Sequence, residues 1–493
     1  MIALLLLLIP LLGGFVTFFL KSDNAARSWS LLTAIATLLV AFLGLAVYNK
    51  PECLSFHADW IQPLGASFAL KLDGLGYTLS LLATLALPLI LAATWHRQYA
   101  NAKNFFGWML LGVAGMLGVF MAMDALLFYF FWELALIPMY FICSQWGGEK
   151  RIPVTFKFFI YTFFGSILML VALIYIYFQT PNHSFAIEDF YKAGQALSYN
   201  DQMWLFWLLF IAFAVKMPIF PFHTWQPDTY EQSPTAATML LSGIMVKMGV
   251  LGLLRWVLPI VPQAAYSWGD LTSSMAVIGI IYASLIAMRQ DDMKRLIAYS
   301  SIAHIGLMAI AIFSETQSSF QGVMVQMFNH GINIVALWMV VEIIERQFGT
   351  RKMSELGGLA QKAPALAIFF VLFAFANIAL PLTNAFVGEF LMFNGILNSA
   401  VTKYNVVFAV LAGLGIILGA VYTLRMTRKV FFGPANALTQ NAVDIKWNEK
   451  IILGFIAVVI IVMGVYPQPI LDFTQAISDE LLKQADILHL LKK

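Results

Sequence analysis

Long apolar runs dominate the chain, separated by short polar stretches. A bilayer core is crossed by about 20 apolar residues in helical form. By that measure the pattern predicts fourteen spans, near 2–20, 28–48, 72–95, 105–123, 125–145, 156–178, 203–230, 234–257, 272–289, 294–313, 318–345, 363–397, 404–427 and 450–466. The first run has no Lys or Arg before it and no small-residue cleavage pattern near its end, so it reads as a helix and not as a removable leader. After the last span, Ile470, Phe473, Ile477, Leu481 and Leu488 recur at helical spacing, with Asp472, Asp479, Glu480 and Lys483 between them. This predicts an amphipathic helix on the outer surface, resting on lipid headgroups or bracing a neighbouring subunit.

Two predicted spans are interrupted. Span seven reads WLFWLLFIAFAVKMPIFPFHTWQPDTYEQSP, where Pro218 and Pro221 remove backbone donors and break the helix. Span twelve reads APALAIFFVLFAFANIALPLTNAFVGEFLMFNGIL and breaks around Pro381 to Asn384. The breaks lie five spans apart. Discontinuous helices at matching places in two halves point to inverted repeats with an ion path between them. The expected organisation is three leading spans in 1–104, repeats in 105–257 and 258–427 (the helices of the second starting near 272), and span fourteen plus the amphipathic helix in 428–493. Two unrelated proline kinks are the plainer alternative.

Composition narrows the class. Of 493 residues, 61% are hydrophobic and 11% charged, against about 25% charged in soluble domains. A soluble globular enzyme and a disordered or collagen-like chain are excluded, which leaves an all-α polytopic membrane protein. A net charge of +3 is too balanced for a nucleic-acid binder. Cys53 and Cys143 are too few for an iron–sulfur cluster or a disulfide framework. Positive charge concentrates after odd-numbered spans, as in Lys150, Arg151 and Lys157, or Arg289, Lys294 and Arg295. It thins after even-numbered ones, where Lys50, Lys71, Lys192, Arg255 and Lys403 fall. The positive-inside rule then places the odd loops in the cytoplasm and both termini outside.

A charge at mid-membrane costs at least about 2.5–3.5 kcal/mol on insertion scales, so buried ionisable groups need a partner or a task. Glu133 lies nine residues past Asp124, roughly 13 Å along the helix. By the same rise Lys216, Lys247, His304 and His330 sit roughly 15–20 Å into their spans, and Glu389 follows the second break. The six groups share a depth on helices of both directions, so a polar line should run within the membrane plane. Each can take and release a proton when burial moves its pKa. A Glu133–Lys216 pair holds both charged, and parting them frees a proton. The C-terminal end of a half-helix favours the Lys216 cation, and an N-terminal end favours the Glu389 anion. Against this stand packing roles for His304 and His330 and a structural ion pair for Lys247. Asp124 is expected to cap its helix and Glu342 and Glu345 to meet water, while His223 and Asp228 read either as loop structure or as the lining of a cytoplasmic entry. Gly415 and Gly419 read as a close-packing motif. No phosphate loop, zinc motif, nucleophile elbow or dinucleotide fingerprint is present, so no cofactor or metal site is expected in this chain.

The segments WELALIPMYF, FAVKMPIFPFHTWQPDTYEQSPTAATMLLSGIMVKMG, RQDDMKRLIAYSSIAHIG and FVGEFLMF together resemble the antiporter-like subunits of respiratory complex I, the proton-pumping NADH:quinone oxidoreductase. The resemblance covers essentially the whole chain. It implies a fourteen-helix core of two inverted five-helix repeats with helices seven and twelve broken, and proton translocation driven by distant quinone reduction. Glu133 and Lys216 match the family's Glu–Lys pair, Lys247 the connecting lysine, His304 and His330 the central axis, and Glu389 the terminal group on helix twelve. Other branches tend to carry Lys at that last position, and one continues into a long lateral helix after span fourteen, so Glu389 and the short tail narrow the resemblance to a single branch. The implied setting is a bacterial inner membrane, with other membrane-arm subunits as neighbours. NADH, flavin, iron–sulfur clusters and quinone belong to those partner subunits. Rival readings are a multisubunit cation/proton antiporter or membrane-bound hydrogenase subunit, a structural scaffold with stranded charges, and a self-contained solute transporter.

Overall fold

The computed structural model describes residues 1–48 and 50–485. The helices of eight or more residues are α1 Ile2–Phe18, α2 Asp23–Ala46, α3 Gly74–Ala93, α4 Ala102–Met121, α5 Ala125–Trp146, α6 Arg151–Gln179, α7 Ile187–Ala196, α8 Tyr199–Lys216, α9 Trp225–Gln232 and α10 Thr235–Val257. They continue with α11 Pro262–Arg289, α12 Met293–Ile312, α13 Gln317–Phe348, α14 Pro364–Asn377, α15 Asn384–Leu397, α16 Asn405–Phe431, α17 Trp447–Val465 and α18 Gln468–Ala485. Among the described residues, 11 helices are long and apolar enough to cross a membrane. The chain is thus an all-α multi-pass membrane protein in its spanning part. The core is set by enclosure. The apolar stretches of α10 and α13 are 100% buried, whereas those of α2 and α17 are 33% and 28% buried and turn most of their surface outward.

Local chemistry fixes the ends. Asp124 caps α5 by accepting from the Leu126 and Leu127 amides, both at 3.0 Å, as expected. The same carboxylate accepts from the Ser67 amide at 2.8 Å and so ties α5 to a strand. Asp444, far along the chain, caps α14 through the amides of Ala365 and Leu366. Both expected breaks are present. Helical backbone stops at Lys216 and resumes at Trp225 across Pro218 and Pro221, and stops at Asn377 and resumes at Asn384 across Pro381. In the second break Ala379 and Leu382 take left-handed φ values of 54° and 75°, a strain of about 1–3 kcal/mol each that packing must hold. Gly415 packs closely, since a Cβ there would meet Ile280 at 2.2 Å.

Several expectations need correction. Residues 55–71 form an antiparallel hairpin, β1 Ser55–Ile61 and β2 Ala66–Lys71, which a search for spans passes over. Its turn places Gly65 at φ 65°, where a Cβ would strike the His183 carbonyl at 2.3 Å. The short amphipathic α7 was also not anticipated; it buries Ile187, Phe190 and Ala193. Helix α11 begins at Pro262 rather than near 272, because polar residues extend it beyond its apolar stretch. The C-terminal amphipathic helix exists as α18, but its apolar side covers this chain's own α3 and α13 rather than lipid or a neighbour. Phe473 stacks on Tyr77, Gln321 donates to the Leu471 carbonyl at 2.9 Å, and a Cβ at Gly74 would collide with the Phe473 carbonyl. Leu488 lies outside the described residues. Arg255 is not a loop charge. It lies in α10, 2% exposed, bonded to Asp73 and to the Phe120 carbonyl. Glu342 and Glu345 do not simply meet water either: Glu342 pairs with Arg97, and Glu345 with Lys294 and Arg351.

Candidate functional site

Four of the six expected groups form one contiguous row. Lys247 projects from α10 and is fully buried; its Nζ donates to the Ser242 carbonyl at 2.8 Å and meets His330 Nδ1 at 2.9 Å. The α10 backbone widens to i→i+5 turns at Leu241–Met245 and Leu253–Val257, on either side of Lys247; such turns are frequent at functional positions. His330, on α13, faces His304 of α12 with ring centroids 5.5 Å apart. His304 Nδ1 lies 3.3 Å from Glu389 Oε1 on α15. Gln326 donates to the same oxygen at 3.5 Å. Two asparagines of α13 hold the ends of the break beside this row: Asn333 donates to the Ala376 carbonyl and Asn329 to that of Asn384.

The row ends at a small hollow of about 20 Å³, walled by His304, Glu389, Asn377 and Tyr422 among others. That is room for about one water, which needs roughly 10–15 Å³ of such space and two to four polar partners. His304 Nε2 is buried without a protein partner, as is His330 Nε2. Beyond the hollow, the Tyr422 hydroxyl bonds Ser300 Oγ at 3.0 Å, and Asn377 donates to the same Ser300 oxygen at 3.3 Å.

The other two groups are organised differently. Lys216 closes α8 and is 1% exposed. Glu133 comes from the adjacent α5. Among the described residues no ion pair joins them; Lys216 Nζ and Glu133 Oε1 are both buried without a hydrogen-bond partner. The ammonium lies instead over the Trp132 ring, 5.2 Å from its centroid. No direct bond links Lys216 to Lys247 among the described residues. There α8 and α10 touch closely, since a Cβ at Gly249 would meet the Phe213 carbonyl at 2.7 Å and Met217 at 2.9 Å.

An open hollow of about 830 Å³ lies at the end where α10 begins, with Thr235, Asp228, Glu231, Arg295, Glu345 and Arg351 in its wall. Arg295 bonds Asp228 at 3.1 Å and Glu231 at 2.6 Å; Arg351 reaches Glu231 and Glu345. Burial opposes the Arg351 charge, yet Asp292, Glu345 and Glu231 hold its pKa above the ordinary value. Asp228 lies in that wall. His223 is not in that wall; it is buried, with its ring on Phe220 and Tyr282. Sequence reasoning missed Trp132, Gln326, Asn377 and Tyr422. A polar residue within a span was the available signal for Gln326 and Asn377, and none distinguished Trp132.

Residues 122–419 match the family of NADH:quinone oxidoreductase/Mrp antiporter transmembrane chains. The chain belongs to that family. Two relatives within it are the NADH-quinone oxidoreductase subunits M of Rickettsia typhi and Pseudomonas aeruginosa. The first is 36% identical over 95% of this chain and 96% of its own, the second 36% identical over 96% and 95%. Among solved structures, respiratory complex I from Thermus thermophilus with bound NADH contains a similar chain, with TM-score 0.91 and 26% identity over 98% of this chain and all of that one.

Proposed function

We propose that this chain is the proton-translocating, subunit M-type member of the membrane arm of NADH:quinone oxidoreductase. It serves a translocase and carries out no redox chemistry itself. Protons move along Glu133, Lys216, Lys247, His330, His304 and Glu389. The observation that carries the reading is the Lys247–His330–His304–Glu389 row, buried except for a partly exposed His304 and in hydrogen-bonding or near-contact range throughout. A neutral imidazole accepts on one nitrogen and donates on the other, so a proton arriving from Lys247 at His330 can leave toward His304 once water joins the free nitrogens. Glu133 favours the charged form of Lys216; when the two part, that proton becomes available to Lys247. Moving one charge against the membrane potential takes about 2.3 kcal/mol per 100 mV. Quinone reduction in partner subunits, which hold NADH, flavin and iron–sulfur clusters, supplies it.

The finer architecture follows the same reading. Counting α1 as a span, and α8 with α9 and α14 with α15 as one broken span each, brings the 11 long apolar helices to fourteen. Helices of 105–257 and 258–427 make the two inverted repeats, after three leading spans in 1–104 and before 428–493. The membrane is the bacterial inner one, with both termini on the periplasmic side and other antiporter-like chains alongside. The test is Lys216→Ala and Glu133→Ala in the assembled complex. Each lowers protons pumped per NADH at least tenfold while the complex still assembles; full pumping by either variant rejects the relay in favour of a scaffold.

A further inference from the structure

The relay reading accounts for the charge of Lys216 but not for the ring beneath it. Lys216 Nζ is enclosed, has no hydrogen-bond partner, and lies 5.2 Å from the Trp132 centroid. A cation over an indole face is stabilised, most strongly where water is excluded. Trp132 and Glu133 are consecutive on α5, about 100° apart around a helix of 3.6 residues per turn. They offer one ammonium two separate seats, a carboxylate and a ring face. The ring cannot easily turn away. Phe213, one turn before Lys216 on α8, meets it edge-on at 5.5 Å, and Phe128 packs on it at 5.7 Å. Phe128 in turn lies on Trp256 of α10 at 4.7 Å, so the helix that carries Lys247 helps to aim the indole. Lys216 is the last residue of α8, where the helix gives way to the break.

We infer that Trp132 is a positioning residue whose indole face seats the Lys216 ammonium when it is parted from Glu133. The inference rests on the proton-relay reading. The ring keeps the separated cation charged long enough for its proton to pass toward Lys247, instead of letting it fall back on the carboxylate or lose its proton at once.

The test compares Trp132→Leu and Trp132→Phe in the assembled complex in sealed membrane vesicles, recording NADH oxidation and protons pumped per NADH against pH. Leu removes the ring face. Without it the separated Lys216 holds its proton less tightly, so pumping falls at least threefold and its alkaline limb moves to lower pH. Phe keeps a ring, retains at least half of the pumping and shifts the limb less, in the same direction. Parent-like pumping and pH profile in Trp132→Leu overturn the inference, and so does equal impairment of Leu and Phe, which marks a packing role. If the Leu variant does not assemble, the Phe variant decides, and an unmoved alkaline limb overturns it. A dead Lys216→Ala beside an unaffected Trp132→Leu removes the seat and leaves the relay; an active Lys216→Ala removes the relay itself.

Discussion

At the first helix break Lys216 sits on the final residue of α8, with no hydrogen bond and a ring for its neighbour. At the second, Glu389 sits in the second turn of α15, bonded to Gln326 and 3.3 Å from His304. The breaks use prolines in similar ways, yet one presents a parted charge pair and the other the end of a joined row. A row of donors and acceptors joined directly or through water passes a proton in either direction. A gap next to a Glu–Lys pair is where direction can be imposed, because the side chain must move before the proton can. The proposed relay therefore puts gating at the first break and conduction at the second.

The sharpest way to break this contrast is at the point where the two regions meet. Lys247→Met keeps the length and apolar stem of the side chain but removes the ammonium that meets His330 Nδ1. Proton pumping in vesicles should fall at least tenfold with the complex assembled; parent-like pumping would show that the row does not conduct.

A smaller effect is expected past the far end. Tyr422→Phe leaves the ring packing in place but removes the hydroxyl beside the hollow and its bond to Ser300. If protons leave or reach Glu389 on this side, pumping drops two- to threefold; an unchanged rate would make Tyr422 a packing residue.

How much of this was legible depends on how local each signal was. A Lys or Glu inside an apolar run announces itself, and so does a proline, which is why all six groups and both breaks could be named from the sequence. Glu389 and His304 were placed on the line, but their meeting depends on how α12 and α15 cross, which no single span records. Trp132 is one of 13 tryptophans, and only the position of Lys216 over its ring sets it apart. The hairpin at 55–71 and the inward-facing α18 were missed for a related reason. Their apolar positions cover other parts of the same chain, whereas the pattern alone fits lipid or a partner equally well. Arg255 was misread because a cation near the end of a span looks like a loop charge until Asp73 is seen beside it.

The central claim is that the six groups form one in-plane wire, completed by water where protein atoms do not touch. A structure of the assembled complex with ordered water decides it. The account predicts water between Lys216 and Lys247, at the free nitrogens of His304 and His330, and in the hollow beside Glu389. Dry aliphatic packing across the Lys216–Lys247 gap and an empty hollow would contradict it.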